Sequence, residues 1–301
     1  MRQWTRLSGA VLCVLFVESS RAEAAAWRDP SPHTVRFVTV DDGVRLEVLD
    51  WGGSGRSVVL LAGGGKTAHV FDDFAPKLAA RYRVYGITRR GFGASGFAES
   101  PNPLDRLRDD VLSALDGLGL VRPVLAGHSI AGAEMSAVAR SQPQRIAGLV
   151  YLEAAYPYAF NDGTGPAMRE FTAVKGPGGP SRSADDLKSF AALQEWAERV
   201  DGFRTPEAEL RQTWASDGQA PTGKYREFPG SRVFAALLGD ANRFDRIPVP
   251  ALAIFALPHV AERWMRESVD PKVQAESRAY FATIDALAER QAKAVETHVP
   301  T

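Results

Sequence analysis

A single cysteine, Cys13, is all the thiol chemistry that these 301 residues offer. It lies inside an apolar run from Leu7 to Val17, with Arg2 and Arg6 before it and small residues ending at Ala24 or Ala26 after it, which is the order of an export signal. Cleavage after residue 26 would leave a chain without a thiol, excluding disulfides, cysteine-ligated metals and a cysteine nucleophile. The run is also far shorter than the ~20 residues a helix needs to cross a bilayer, so no membrane anchor is expected after cleavage. An ordinary N-terminal helix is the alternative. Net charge is lacking too. Lys plus Arg and Asp plus Glu number 36 each, leaving no field to draw the chain to nucleic acid or an anionic surface. Histidine is scarce, at five, so any imidazole chemistry must come from a short list.

What is present suffices for a sizeable core: 45% apolar and 24% charged residues, the balance of a soluble globular chain. Short apolar runs bounded by turn residues predict strands near Val35 to Thr39, Arg45 to Trp51, Ser57 to Ala62, Arg83 to Ile87, Pro123 to Ala126, Ile146 to Leu152 and Pro250 to Phe255. The first two alternate, as half-exposed antiparallel strands do. The later ones are almost wholly apolar, as parallel strands covered on both faces should be. Helix-like stretches separate them, so the fold class is α/β, a mostly parallel sheet flanked by helices. From Ala155 to Arg246 the strand signal stops. Ser183 and Asp186 form a plausible capping pair for a helix to Val200, Thr205-Pro206 marks another helix start, and 155–246 is expected to be an inserted helical cap. A last helix should begin at Asp270-Pro271 and bury Val273, Phe281, Ile284 and Leu287. The expected division is therefore a signal peptide (1–26), a core (27–154 and 247–301) and a cap (155–246).

The segment Val124-Leu-Ala-Gly-His-Ser-Ile-Ala-Gly132 sets Ser129 between a buried strand and a helix of small residues. Such a turn is so sharp that the positions two before and two after the serine must be small, and Gly127 and Ala131 fill them. A chance Gly-x-Ser is the bland alternative. With Leu60-Leu-Ala-Gly-Gly-Gly65, Arg90-Gly-Phe-Gly-Ala-Ser95 and Gly148-Leu-Val-Tyr-Leu-Glu-Ala154 in this order, the chain from about Trp27 to Thr301 resembles the α/β-hydrolase superfamily, closely its exported, cap-bearing, esterase-like members. The resemblance implies Ser129 as nucleophile and the N–H groups of Gly64 and Ile130 as oxyanion hole. It implies no cofactor or metal, and a small-molecule ester as substrate. Ala62-Gly63 stands where many relatives carry His-Gly. Gly63 to Gly65 could also be a simple turn.

Relatives supply an acid and then a histidine later in the chain. The usual acid segment here reads Ala256-Leu-Pro-His-Val260, without a carboxylate. Glu153, at the end of the preceding strand, occupies an alternative acid position and is the candidate, although strand-end acids also serve as simple caps. The family histidine would fall beyond Thr301, after an eighth strand, in about 30 further residues that supply this strand, a histidine loop and a closing helix. On this reading the final strand and helix are missing and the strand at Ala251 to Phe255 becomes an exposed sheet edge. His33, His128 and His298 are poorly placed. His259 and His69 are the substitute bases to test, and with neither in place the alternative is a catalytically impaired or non-catalytic binding protein. Two further motifs fail. Gly91-Phe-Gly-Ala-Ser-Gly96 opens no helix where a dinucleotide fingerprint would, and Gly65-Lys66-Thr67 lacks the first glycine of a phosphate loop, that position being Leu60.

Overall fold

The computed structural model describes residues 27–159, 161–233 and 247–296. The expected signal segment with Cys13, and also Phe234, Arg246 and His298, lie outside them. Residues 27–30 belong to a small N-terminal unit and carry no helix or strand; the chain from Ser31 forms a second unit, to which all that follows refers.

Seven strands build one sheet: β1 (Thr34–Asp41), β2 (Val44–Gly52), β3 (Ser57–Leu61), β4 (Arg83–Ile87), β5 (Val124–His128), β6 (Gly148–Leu152) and, after a small hairpin of β7 (Trp214–Ser216) and β8 (Pro221–Tyr225), β9 (Ala251–Ile254). Their order is β1-β2-β4-β3-β5-β6-β9, antiparallel from β1 through β4 and parallel from β4 to β9. All seven strand positions agree with the apolar runs to within about two residues.

Alternation along each strand divides its side chains between two cores. Val59 and Leu61 of β3 pack with helices α2 (Pro103–Gly117) and α3 (Ala131–Ser141) through Val111, Leu115, Met135 and Val138. Val58 and Leu60 pack with Phe71 and Ala75 of the segment leading into α1 (Ala75–Ala79). Each such buried Val or Leu contributes roughly 1.5–3 kcal/mol. β2 is a correction: it is buried along almost its whole length rather than alternating, because both cores use it, Leu46 and Val48 on one face and Leu49 and Trp51 on the other. β1, at the sheet edge, is mostly exposed. β9 forms the opposite edge among the described residues, with Leu252 and Ile254 half exposed.

The segment after β6 carries α4 (Met168–Ala173), α5 (Phe190–Asp201) and α6 (Glu207–Thr213). Ser183 and Asp186 do bond each other, but around a 3-10 turn at Asp185–Leu187; α5 starts later, where the Ser189 hydroxyl accepts from the Ala192 N–H. The β7–β8 hairpin was not expected in a stretch without apolar alternation. It is made by turn chemistry, the Asp217 carboxylate accepting from the N–H groups of Gln219 and Ala220. After β9 come α7 (Arg263–Glu267) and the long α8 (Pro271–Glu296). The expected buried face of α8 holds for Leu287, whereas Val273, Phe281 and Ile284 are only half buried, Ile284 because it faces a cavity. No helix among the described residues is long and apolar enough to cross a membrane.

Candidate functional site

Parallel strands end on the same edge of a sheet, and four neighbours, β3, β5, β6 and β9, deliver the candidate groups to that edge. Ser129 follows β5 directly with φ +54, and Glu153 follows β6 with φ +51. A residue with a β-carbon rarely adopts this left-handed conformation, so both side chains are held by the surrounding fold in orientations the chain would otherwise avoid. The ladder does the holding: Ser129 N donates to Leu152 O at 3.2 Å and Glu153 N to Ile254 O at 2.9 Å. The requirement for small neighbours is also visible, since a β-carbon on Gly127 would lie 2.8 Å from that of Ala131.

The oxyanion loop follows β3. A β-carbon on Gly63 would sit 2.6 Å from Nδ1 of His128 and 3.6 Å from Cβ of Ser129, so this backbone approaches the serine as closely as glycine allows. Neither the Gly64 nor the Ile130 N–H is drawn into the bonds that close the adjacent turns, Lys66 N to Gly63 O and Gly132 N to Ser129 O. The loop is fixed at its far end by Glu209 of α6, whose carboxylate takes the Thr67 hydroxyl at 2.5 Å and the Thr67 N–H at 3.2 Å. Burial raises the Glu209 carboxyl to about 7, against the opposing bonds from Thr67 and the charge of Lys66.

His259 reaches the same edge from the loop after β9. Its Nδ1 lies 2.7 Å from Oδ1 of Asp285 on α8, its backbone N–H donates to the same oxygen at 2.9 Å, and its Nε2 lies 3.5 Å from Oε2 of Glu153. These bonds, the backbone one foremost, hold the Asp285 carboxyl below its usual range. Glu153 also accepts from the Ala256 N–H, which ties the β9 loop to the end of β6. Ser129, Glu153, His259 and Ile284 line one cavity of about 200 Å³. His128 is open to solvent there but crowded by Gly63, and desolvation lowers its pKa, opposed in part by Glu153. A second, mostly apolar cavity of about 520 Å³ shares His128 and is walled by Gly63, Phe71, Phe74, Leu152 and Phe203. Of the aromatics after β6, Trp196 and Trp214 thus join a local core with Phe190 and Leu210, while Phe203 faces this cavity.

His69 is a correction. It is 4% exposed, with Nδ1 3.2 Å from Asp72 and Nε2 3.6 Å from Glu47. Burial alone would lower its pKa, but bonds to Asp72 and Glu47 outweigh burial and raise it to about 10. An imidazolium at neutral pH cannot take a proton, and His69 does not line the Ser129 cavity. His33 is bonded to the same carboxylate, its Nδ1 2.8 Å from Asp72. Asp285 is the residue that sequence reasoning missed. It lies 26 positions after His259 in a helix of ordinary amphipathic pattern, and only the packing of that helix reveals it.

A model of the alpha/beta hydrolase family matches residues 58–289. The chain is 25% identical to a pyrethroid hydrolase of Sphingobium wenxiniae over 251 residues, which are 79% of this chain and 85% of that protein. It is 35% identical to a 2-hydroxy-6-oxononadienedioate/2-hydroxy-6-oxononatrienedioate hydrolase of Cupriavidus pinatubonensis over 127 residues, 40% of this chain and 44% of the relative. Several other curated relatives are likewise matched over less than half their length. The crystal structure of E-2-(acetamidomethylene)succinate hydrolase aligns with a TM-score of 0.49 at 15% identity, covering 84% of this chain and 99% of that one.

Proposed function

Because the chain belongs to the α/β-hydrolase family, we propose that it is a serine hydrolase that cleaves a small-molecule carboxylic ester through an acyl-enzyme on Ser129. The observation that carries this reading is the convergence of Ser129, Glu153 and an Asp285-bonded His259 on one cavity. Asp285 fixes the ring through Nδ1 and leaves Nε2 as the proton acceptor. Ser129 Oγ attacks the ester carbonyl as Nε2 takes its proton, the Gly64 and Ile130 N–H groups receive the charge on the carbonyl oxygen, and the alcohol leaves with the proton from Nε2. Water then enters by the reverse sequence and releases the acid.

In this assignment Asp285 takes the orienting role expected of Glu153. Glu153 instead flanks Nε2 and anchors the β9 loop. The apolar cavity beside Gly63 suits a hydrophobic acyl or alcohol group, with Phe203, just beyond α5, acting as part of a cap over it. Export in the direction set by Arg2, Arg6 and the apolar run belongs to the same proposal.

One observation favours a second reading, a non-catalytic ligand-binding homologue: among the described residues no hydrogen bond joins Ser129 Oγ to His259, whose Nε2 faces Glu153. Hydrolysis of a short-chain nitrophenyl ester separates the two. Turnover that disappears in both Ser129→Ala and His259→Ala supports the hydrolase. Background rates from a folded wild-type chain support binding alone.

A further inference from the structure

Two consecutive arginines follow β4, and they do different work. Arg90 bonds Asp110 of α2 and the carbonyl of Ala98 at 3.0 Å, pinning a surface loop to a helix. Arg89 turns the other way. It is 6% exposed and pairs with Glu134 of α3, itself 2% exposed. Its two terminal nitrogens reach the oxyanion loop, Nη2, which also pairs with Glu134, donating to Ala62 O at 2.8 Å and Nη1 to Gly63 O at 3.4 Å.

The Gly63 carbonyl and the Gly64 N–H are opposite ends of one planar peptide, so whatever anchors the oxygen sets where the N–H points. A cationic donor on that oxygen also draws electron density along the amide and strengthens the N–H as a donor. Glu134, in turn, lies four residues beyond Ile130, the source of the second oxyanion N–H. The Arg89–Glu134 pair therefore connects the two halves of the hole. A lysine could not do the same, because the connection uses several N–H groups in a fixed fork.

We propose that Arg89, held by Glu134, is a positioning residue that orients and polarises the Gly63–Gly64 peptide as an oxyanion donor. This rests on Ser129 acting as a hydrolytic nucleophile. Its signature is a loss of transition-state binding without loss of substrate binding.

The test compares wild type with Arg89→Met/Glu134→Leu, in which an apolar pair replaces the buried ions so that no lone charge remains to unfold the chain. Arg89→Lys and the purely structural Arg90→Met/Asp110→Leu are the controls. Readouts are kcat and KM on nitrophenyl butyrate, affinity for an alkylboronic acid that forms a tetrahedral adduct with Ser129, and the circular-dichroism melting curve. The Arg89→Met/Glu134→Leu variant should lose roughly 10- to 100-fold in kcat and in boronate affinity together, less than the ~10²–10³-fold cost of deleting a donor outright. Its KM should stay within about twofold. Arg89→Lys should recover only part of the loss, and the Arg90 control should lower melting temperature with kcat retained. A folded Arg89→Met/Glu134→Leu chain with wild-type kcat and boronate affinity overturns the proposal, as does a change confined to KM. Labelling by a fluorophosphonate keeps the underlying reading separate: a wild-type chain that is not labelled at Ser129 refutes the nucleophile, and the positioning role with it.

Discussion

Two histidine–carboxylate groups in this molecule use the same chemistry to opposite ends. His69 is packed between Asp72 and Glu47 away from the Ser129 cavity, and the bonds to these two carboxylates, outweighing burial, keep it charged up to about 10. His259 has the same Nδ1–carboxylate bond, to Asp285, but is 22% exposed at the side chain and lines the cavity of Ser129, its other nitrogen 3.5 Å from Glu153. The difference teaches that enclosure, rather than the partner of the second ring nitrogen, separates the two. Both second nitrogens face a carboxylate, Glu47 at 3.6 Å and Glu153 at 3.5 Å. Of the two histidines only His259 borders an open cavity shared with Ser129, as the proposed base requires, whereas the enclosed His69 serves as a brace.

Substitutions can break this contrast, and the largest effect belongs to the open pair. His259→Ala is expected to lower kcat on a nitrophenyl ester by at least about 10³-fold, in the range seen when the base of a serine triad is removed, with unfolding in urea little changed. Asp285→Asn should cost less than the ~10⁴-fold of a buried triad aspartate, about 10²-fold, because this pair is partly solvated. Acidification sharpens the point. The Asp285 carboxyl is depressed in the folded chain, so its contribution to stability is present above the ordinary carboxylate value and is lost as pH falls through the folded one.

His69→Ala should do the reverse, leaving kcat/KM within a few-fold while destabilising the chain by about 3 kcal/mol, since Asp72 and Glu47 lose their shared cation; urea denaturation reads this. Its folded pKa is raised, so its stabilisation is complete below pH 6.5 and declines as pH rises toward about 10. The smallest expected effect concerns Glu209. With a folded pKa raised to about 7, this carboxyl favours the native state in its protonated form, and that contribution fades between pH 4.5 and about 7. Glu209→Gln should flatten the pH dependence of the urea midpoint across that window, with no more than a few-fold change in kcat.

The sheet was legible because its information is local. A strand buried on both faces has to be a short apolar run, and a nucleophile elbow has to place small residues around Ser129, so Ser57 to Ala62 and Val124 to Gly132 declare themselves. The β7–β8 hairpin escaped notice because a turn carboxylate at Asp217 defines it rather than alternation. α8 was found from its period, but the reason Ile284 is half buried, a cavity, leaves no mark on that period.

The site divides in the same way. Sequence alone determined the α/β architecture, the serine at the end of β5, the loop of glycines after β3 and the short list of histidines, since each follows from steric or hydrophobic demands within a few residues of chain. Tertiary structure decided that His259 lines the cavity of Ser129, that Asp285 holds its Nδ1, and that Arg89 rests on the oxyanion loop. Those contacts join residues 26 or more positions apart, and a contact across such a distance depends on how helices and strands pack, which no local pattern of residue types encodes.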